Sequence, residues 1–347
     1  MNTFYIAFRD PLFGIILFFL LLFVISFLSY WGGRYKASRA HRSLESFLGK
    51  FDESSDPTPI ASQIHNNTLN NESWLLLAQS FELQGNYEKS VEIYLAILSK
   101  YSDPIFQKEV LLLLGKTYFK AGFLERSRVS FVQVLENHPR TPVALHYLIL
   151  LYEQLQQFDK ALEVSESLLE LQPQSHSIQT YLQCRFILVN PKLTVDERCE
   201  QLAAVYRETL SLGYLIFDYL FTHRSALAWE IFDHGLAHRL SDVLWRLGEE
   251  KLDLAIISRN VYLCELFTAR GAVELAQSSS VFELDTLIAL RKCGSSKATL
   301  QFEYACSECK QISFIPFHRC PHCHTIDTVS PILILSKEHF EENNSFQ

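Results

Sequence analysis

The chain has 347 residues, 48 % of them apolar, with only 12 Gly and 11 Pro, which is material for a substantial core. Its net charge of -8 excludes a continuous basic track for nucleic-acid phosphates. The 8 cysteines are too few to scatter into two C-x-x-C pairs by accident, and both pairs lie near the C-terminus.

Residues 1–10 read as a short N-terminus exposed outside a membrane, followed by an apolar segment over 11–33. No charge occurs from Pro11 to Gly33, and Leu12 to Trp31 is long enough to cross a bilayer's hydrocarbon core as a transmembrane helix. Phe4 and Tyr5 on one side and Tyr30 and Trp31 on the other match aromatic interface anchors. A cleaved signal peptide fits less well, since the run is long and no small-x-small site follows it before Gly32. Arg34, Lys36, Arg39, Arg42 and Lys50 crowd the C-terminal flank, against Arg9 alone before the span. Positive flanks stay inside, so the body of this single-pass chain is expected in the cytoplasm. Thiols remain reduced there.

The basic juxtamembrane segment and a Ser- and Pro-punctuated linker, DESSDPTP, occupy 34–60. From 61 to 174 the chain repeats itself. Trp74-x-x-Leu77-Ala78-x-x-Phe81 with Gly85, Ser90 and Tyr94 returns 37 residues later as Leu111-x-x-Leu114-Gly115-x-x-Tyr118 with Gly122, Ser127 and Phe131. It returns again after 34 more as Leu145-x-x-Leu148-Ile149-x-x-Tyr152 with Phe158, Ala161 and Ser165. Large residues on one helix facing small ones on the next, with a turn glycine between and Pro139 or Pro173 after, is the tetratricopeptide pattern. Gln156 replaces the turn glycine in the third unit. The pattern predicts an all-α superhelical solenoid whose inner face binds a segment of another protein, with Gln79, Lys116 and Glu153 as candidate partner-binding positions.

From 175 to 300 the periodicity persists without the signature, which predicts degenerate helical repeats with helices at Val195 to Leu210, Ser225 to Leu247 and Lys251 to Ala269. Cys184, Cys199, Cys264 and Cys293 are scattered here and read as ordinary structural thiols. No Walker loop, G-x-S-x-G elbow or H-E-x-x-H helix occurs, so no enzyme is expected.

Residues 301–335 contain Cys306-x-x-Cys309 and Cys320-Pro321-x-Cys323, a spacing that aims four sulfurs at one tetrahedral ion. Four protein ligands leave no position for water or substrate, so the cofactor is one structural metal ion, zinc or iron. His318, His322 and His324 are expected to support the ligands or face solvent. Phe302, Tyr304, Phe314, Ile315 and Phe317 are expected in short strands stapled by the metal. A tail occupies 336–347.

The anchor, the repeats and the ribbon Tyr304-Ala-Cys306-Ser-Glu-Cys309 through His318-Arg-Cys320-Pro-His-Cys323 to Val329-Ser-Pro331-Ile together resemble the lipopolysaccharide assembly protein B family. The resemblance implies a small C-terminal β module of zinc-ribbon or rubredoxin-like form, Cys306, Cys309, Cys320 and Cys323 as its ligands, and a ribbon packed against the repeats. It implies an adaptor at the bacterial inner membrane that couples a membrane-anchored AAA protease to the lipid A deacetylase, with lipopolysaccharide biosynthesis or transport components as further partners. Lys310 stands where the family usually has Gly, and 175–300 matches loosely. The alternative function is a general assembly factor or chaperone for an envelope complex. Homo-oligomer formation is left open.

Overall fold

The structure is a computed structural model that describes Ile64, residues 71–294 and 297–337. The predicted span, juxtamembrane segment and most of the tail lie outside the described residues. Among the described residues no helix is long and apolar enough to cross a membrane.

The repeats form six helices: α1 (Asn71–Leu83), α2 (Tyr87–Lys100), α3 (Pro104–Lys120), α4 (Leu124–Asn137), α5 (Pro142–Gln154) and α6 (Phe158–Leu171). Packing divides the chain into one unit ending at Thr117 and another beginning at Tyr118. In the first unit Trp74 and Ala78 of α1 are buried with Ser90, Tyr94 and Ile97 of α2. A small hydroxyl residue at 90 lets the two helices approach closely enough to enclose the aromatic rings. The chain before α1 also reaches this unit, because the Ile64 carbonyl accepts a hydrogen bond from Lys100 Nζ at 2.6 Å. In the second unit Leu145, Leu148 and Ile149 of α5 are buried, as are Phe158, Ala161, Ser165 and Leu168 of α6.

Each hairpin reverses through one residue with left-handed backbone: Gly85 at φ 77°, Gly122 at 81° and Gln156 at 58°. The next residue then donates to the carbonyl five positions back, Asn86 to Phe81 at 2.8 Å, Phe123 to Tyr118 at 2.9 Å and Gln157 to Tyr152 at 2.8 Å. This closure satisfies the last helical carbonyls and requires positive φ, which a side chain resists. Gln156 therefore carries strain that the two glycines avoid. Replacing Gln156 with Gly is expected to stabilise the second unit by about 1 kcal/mol. Gly122→Ala, where an added Cβ meets nothing within 4 Å, should destabilise by a similar amount from backbone strain alone. Opposite shifts in thermal midpoint would bear this out; equal ones would contradict it.

After the turn at Pro173–Ser175 come α7 (His176–Val189) and α8 (Val195–Thr209). Thr194 and Glu197 cap α8 reciprocally, Thr194 Oγ1 accepting from the Glu197 amide while Glu197 Oε2 accepts from the Thr194 amide. The helix predicted at Val195 to Leu210 is present, ending where Leu210 turns left-handed.

The two longer helices expected beyond it are not continuous. The first segment is α9 (Gly213–His223), which lies before the predicted start, then α10 (Ser225–Glu230), a turn at His234–Leu236 and α11 (Ser241–Trp245). The second is α12 (Leu254–Ile257) and α13 (Val261–Arg270), with α14 (Phe282–Lys292) following. Side chains that bond the backbone cut the pattern. Asp233 accepts from the Gly235 amide at 2.8 Å, Asp253 from Ala255 and Ile256, and Asn260 from Leu263. Each starts a new turn and so ends the preceding one. Apolar spacing alone does not register these interruptions.

The C-terminal sheet has three antiparallel strands in the order β2-β1-β3: β1 (Ala298–Cys306), β2 (Ile312–Ser313) and β3 (Val329–Lys337). β1 pairs with β3 from Ala298 opposite Lys337 to Cys306 opposite Val329. Pro331 is accommodated because β3 is an edge strand. The sheet's Leu300, Tyr304 and Val329 join the same buried cluster as Tyr181, Phe217, Phe221, Trp229, Phe267 and Leu284. The ribbon thus shares a core with the helices of its own unit, a larger apolar interior than so short a sheet could make alone.

Candidate metal centre

The centre is built by two turns of the same construction. β1 delivers Cys306 as its last residue; the Cys306 amide donates to Gln311 O at 3.0 Å and Cys306 O accepts from the Lys310 amide at 3.0 Å. In the second turn the Cys320 amide donates to Thr325 O at 2.8 Å and Cys320 O accepts from the His324 amide at 3.0 Å. Lys310 and His324 occupy equivalent places and have φ of 61° and 60°. The departure from glycine at Lys310 therefore costs backbone strain, and His324 incurs the same strain in the other turn.

The four sulfurs lie within 4.8 Å of one another, with Cys306 Sγ 3.7 Å from Cys323 Sγ and Cys309 Sγ 3.7 Å from Cys320 Sγ. A tetrahedron with metal–sulfur bonds of about 2.3 Å has edges of about 3.8 Å. A disulfide needs about 2.05 Å, and all four cysteines are free. The donor set and its spacing fit one ion held by Cys306, Cys309, Cys320 and Cys323. Bound there, a fully thiolate-coordinated ion supplies cross-linking and leaves no coordination position for a reactant.

The protein prepares these ligands unequally. Burial pushes the Cys306 thiol up, but hydrogen bonding with the Thr328 side chain, the Cys309 and Glu308 amides and the Cys309 thiol outweighs it and brings the thiol to about 6. Burial likewise raises Cys323, and its contacts with Thr325, Cys320 and Cys309 together more than reverse that. Thr328 Oγ1 is 3.3 Å from Cys306 Sγ and Thr325 Oγ1 is 2.9 Å from Cys323 Sγ. Burial takes Cys320 the other way, to about 12. A bound dication is what allows all four thiols to ionise together.

The same turns dock the ribbon on the helices. Arg319, next to Cys320, donates through Nε to Glu153 Oε2 at 2.7 Å and through Nη1 to His324 O at 2.8 Å, and its guanidinium lies 4.9 Å from the Tyr181 ring centroid. Tyr181 donates to the other Glu153 oxygen at 2.5 Å. Asp327 accepts from Arg239 at 2.8 Å and from the Leu212 amide at 3.1 Å, satisfying a donor just before α9. Asp242, fully buried, accepts from Tyr214 at 2.7 Å, from Tyr304 of β1 at 3.1 Å and from Arg246 at 3.2 Å. Burial, and then the Asp242 carboxylate, hold both phenols far above their ordinary range.

The three histidines have separate surroundings. His318 packs on Tyr214 and His324 on Phe119, with ring centroids 5.9 and 5.8 Å apart, while His322 is exposed. Of the candidate partner positions, Gln79 and Lys116 are half-buried on α1 and α3. Glu153 is committed within the chain, between Arg319 and Tyr181. No sequence signal tied residue 153 to residue 319, because the pair is 166 positions apart. Phe314, Ile315 and Phe317, expected in strands, instead stand on the loop after β2, the first two 81 % and 73 % exposed and Phe317 half-buried. β2 ends at Ser313, where its pairing with β1 ends. Cys184 and Cys199 are buried, Cys264 half-buried and Cys293 exposed.

His146 of α5 is held at about 4 by burial, then by the nearby Arg319 and His324 charges. Its folded pKa is depressed below the unfolded value of about 6.5, so the unfolded chain takes up a proton that the folded chain refuses. Stability is therefore full above about pH 6.5 and falls as pH drops from there toward the folded value of about 4. Denaturant midpoints at neutral pH and about one and a half units below the unfolded pKa should differ in the wild type and differ less in His146→Leu. Equal pH dependence in the two chains would contradict the assignment.

Tetratricopeptide repeats occupy residues 72–104 and 112–176. Models of the tetratricopeptide repeat match both stretches. No curated protein matches the chain. Among solved structures, YrrB, described as a tetratricopeptide-repeat protein with an unusual peptide-binding site, is 16 % identical over 52 % of this chain and 96 % of its own, at a TM-score of 0.35. A tetratricopeptide repeat protein from Parabacteroides merdae ATCC 43184 is 16 % identical over 64 % of this chain and 98 % of its own, at 0.34. Superpositions this loose carry no inference about ligand or activity. The repeats themselves imply an adaptor or scaffold that binds other proteins.

Proposed function

We propose that this chain is a single-pass, inner-membrane adaptor, facing the cytoplasm, that regulates lipopolysaccharide synthesis by bringing a membrane-anchored AAA protease to the lipid A deacetylase. The observation that carries the reading is the Arg319–Glu153 ion pair, 2.7 Å long, by which a four-cysteine ribbon is locked onto the third repeat. Ribbon packed on repeats is the arrangement that the family resemblance implies, and the uncharged segment Pro11 to Gly33 supplies the tether. With Glu153 engaged internally, a partner segment would meet the repeats toward Gln79 and Lys116. The mechanism is positional: confinement to the membrane surface raises the encounter rate between two clients without chemistry by the adaptor.

The test is affinity purification of the full-length, detergent-extracted protein with mass spectrometry of its partners, beside a variant with all four ligand cysteines replaced by Ser. Recovery of the protease and a lipid A enzyme by the wild type, lost in the variant, is the expected result. Unrelated envelope subunits in their place would favour a general assembly factor. Unaltered deacetylase turnover on depletion would remove the regulatory role.

A further inference from the structure

The ribbon has an apolar tip that neither the metal nor the core uses. Between the two cysteine turns, Ile312 is 50 % exposed, Phe314 81 % and Ile315 73 %, and Pro316 is exposed beside them. The tip is held out from both ends: Ile312 and Ser313 pair with Ala305 and Tyr304 of β1, and the chain enters the second cysteine turn at Cys320. Ser313 Oγ also donates to Ile315 O at 2.8 Å and accepts from the Ile315 amide at 3.2 Å. A chain braced this way cannot fold Phe314 and Ile315 back into the core.

From Cys309 to Ile326 there is no Asp or Glu; the exposed Glu308 precedes that stretch, and Asp327, which accepts from Arg239, follows it. Lys310 and His322, both exposed, stand in the two cysteine turns, with Lys310 Nζ donating to Ser307 O at 2.5 Å, whereas Arg319 is used internally against Glu153. Two large side chains and a proline offer roughly 400 Å² of surface, about half of what each side of a stable protein interface needs, roughly 800 Å². A bilayer asks for no matching shape and gains from every apolar group inserted.

We propose that this tip is a membrane-insertion element: Phe314 and Ile315 enter the acyl boundary of an anionic lipid surface, with Lys310 at the head groups. The inference rests on the tethered reading above. A tether makes so small an element effective, since the second contact is intramolecular at the membrane. The arrangement would fix the ribbon, and with it the repeats of its unit, at the bilayer surface.

The experiment uses the full chain with Phe314→Trp, reconstituted into vesicles of phosphatidylcholine with phosphatidylglycerol and into phosphatidylcholine alone. The fluorescence added over the wild type should shift to the blue and be quenched by brominated acyl chains, more strongly with the anionic lipid. Lys310→Gly, which suits the left-handed backbone there, should lower the insertion equilibrium constant about fivefold, the worth of one lysine at an anionic surface. Co-flotation of the chain with the introduced indole still exposed to water overturns the insertion element and leaves the tether intact. An indole shielded from water but untouched by brominated lipid points to a protein contact and also overturns it. Failure of the chain to float with vesicles overturns the tethered reading and the inference together.

Discussion

Removing the metal should unfold residues 298–337 and loosen the helices that share their core, while α1 and α2 retain their structure. Binding a structural zinc ion contributes about 10 kcal/mol or more to small thiolate-ligated modules, and that free energy is folding free energy. Here the loss propagates. Leu300, Tyr304 and Val329 belong to the buried cluster that includes Phe217, Trp229 and Leu284, and Tyr304 supplies one of the three hydrogen bonds to Asp242 Oδ2. Hydrogen exchange after chelation should show protection lost throughout β1 and β3, lowered in α9 and α11, and unchanged in Trp74 to Ile97. Protection retained in β1 and β3 after complete metal release would mean that the shared core, not the ion, holds the ribbon. The variant lacking all four ligand cysteines should show the same pattern without chelator.

Cutting the Arg319–Glu153 pair on one side should destabilise the second unit strongly. The two side chains are only 9 % and 13 % exposed, so solvent screens them little. Arg319→Ala leaves the Glu153 carboxylate with the Tyr181 hydroxyl alone and opens the space over the Tyr181 ring. Removing one partner of a buried pair costs about 3 kcal/mol, or roughly 6 to 12 °C in Tm for a unit of this size. Replacing both charges, as Glu153→Gln with Arg319→Met, should recover most of the loss, because the uncompensated charge is what destabilises. A double variant no better than Arg319→Ala would show that the charge pair is not the source. The single variant should keep its metal, since none of the Arg319 hydrogen bonds described above reaches a sulfur. Metal content therefore separates a failure of docking from a failure of the centre.

Much of this was legible in the chain. The repeat register placed the turns at Gly85, Gly122 and Gln156, and each is the left-handed residue. The cysteine spacing specified the sulfur cluster, because two residues between ligands and ten between pairs leave few ways to close four thiolates. Both signals are local: a turn or a helix face is decided by residues within a few positions of one another. The interrupted helices between 225 and 269 were illegible for a related reason. Apolar periodicity survives a cap, and nothing in a single sequence says whether Asp233 or Asn260 faces solvent or bonds a backbone amide.

The docking of the ribbon belonged to the tertiary structure alone. Glu153 reads from the sequence as a candidate partner-binding position, and nothing in the sequence singles out Arg319 or Asp242. Their roles depend on which helices the sheet lies against, decided by the burial of Leu300, Tyr304 and Val329 in a core assembled from residues 145 to 329. The converse holds for Phe314 and Ile315, which were expected in short strands and which the braced loop leaves exposed. The sequence by itself determined the pieces, three helical hairpins and a four-thiolate centre, because short-range geometry is written in spacing. Only long-range packing decided which charge meets which, because burial of one residue depends on all the others around it.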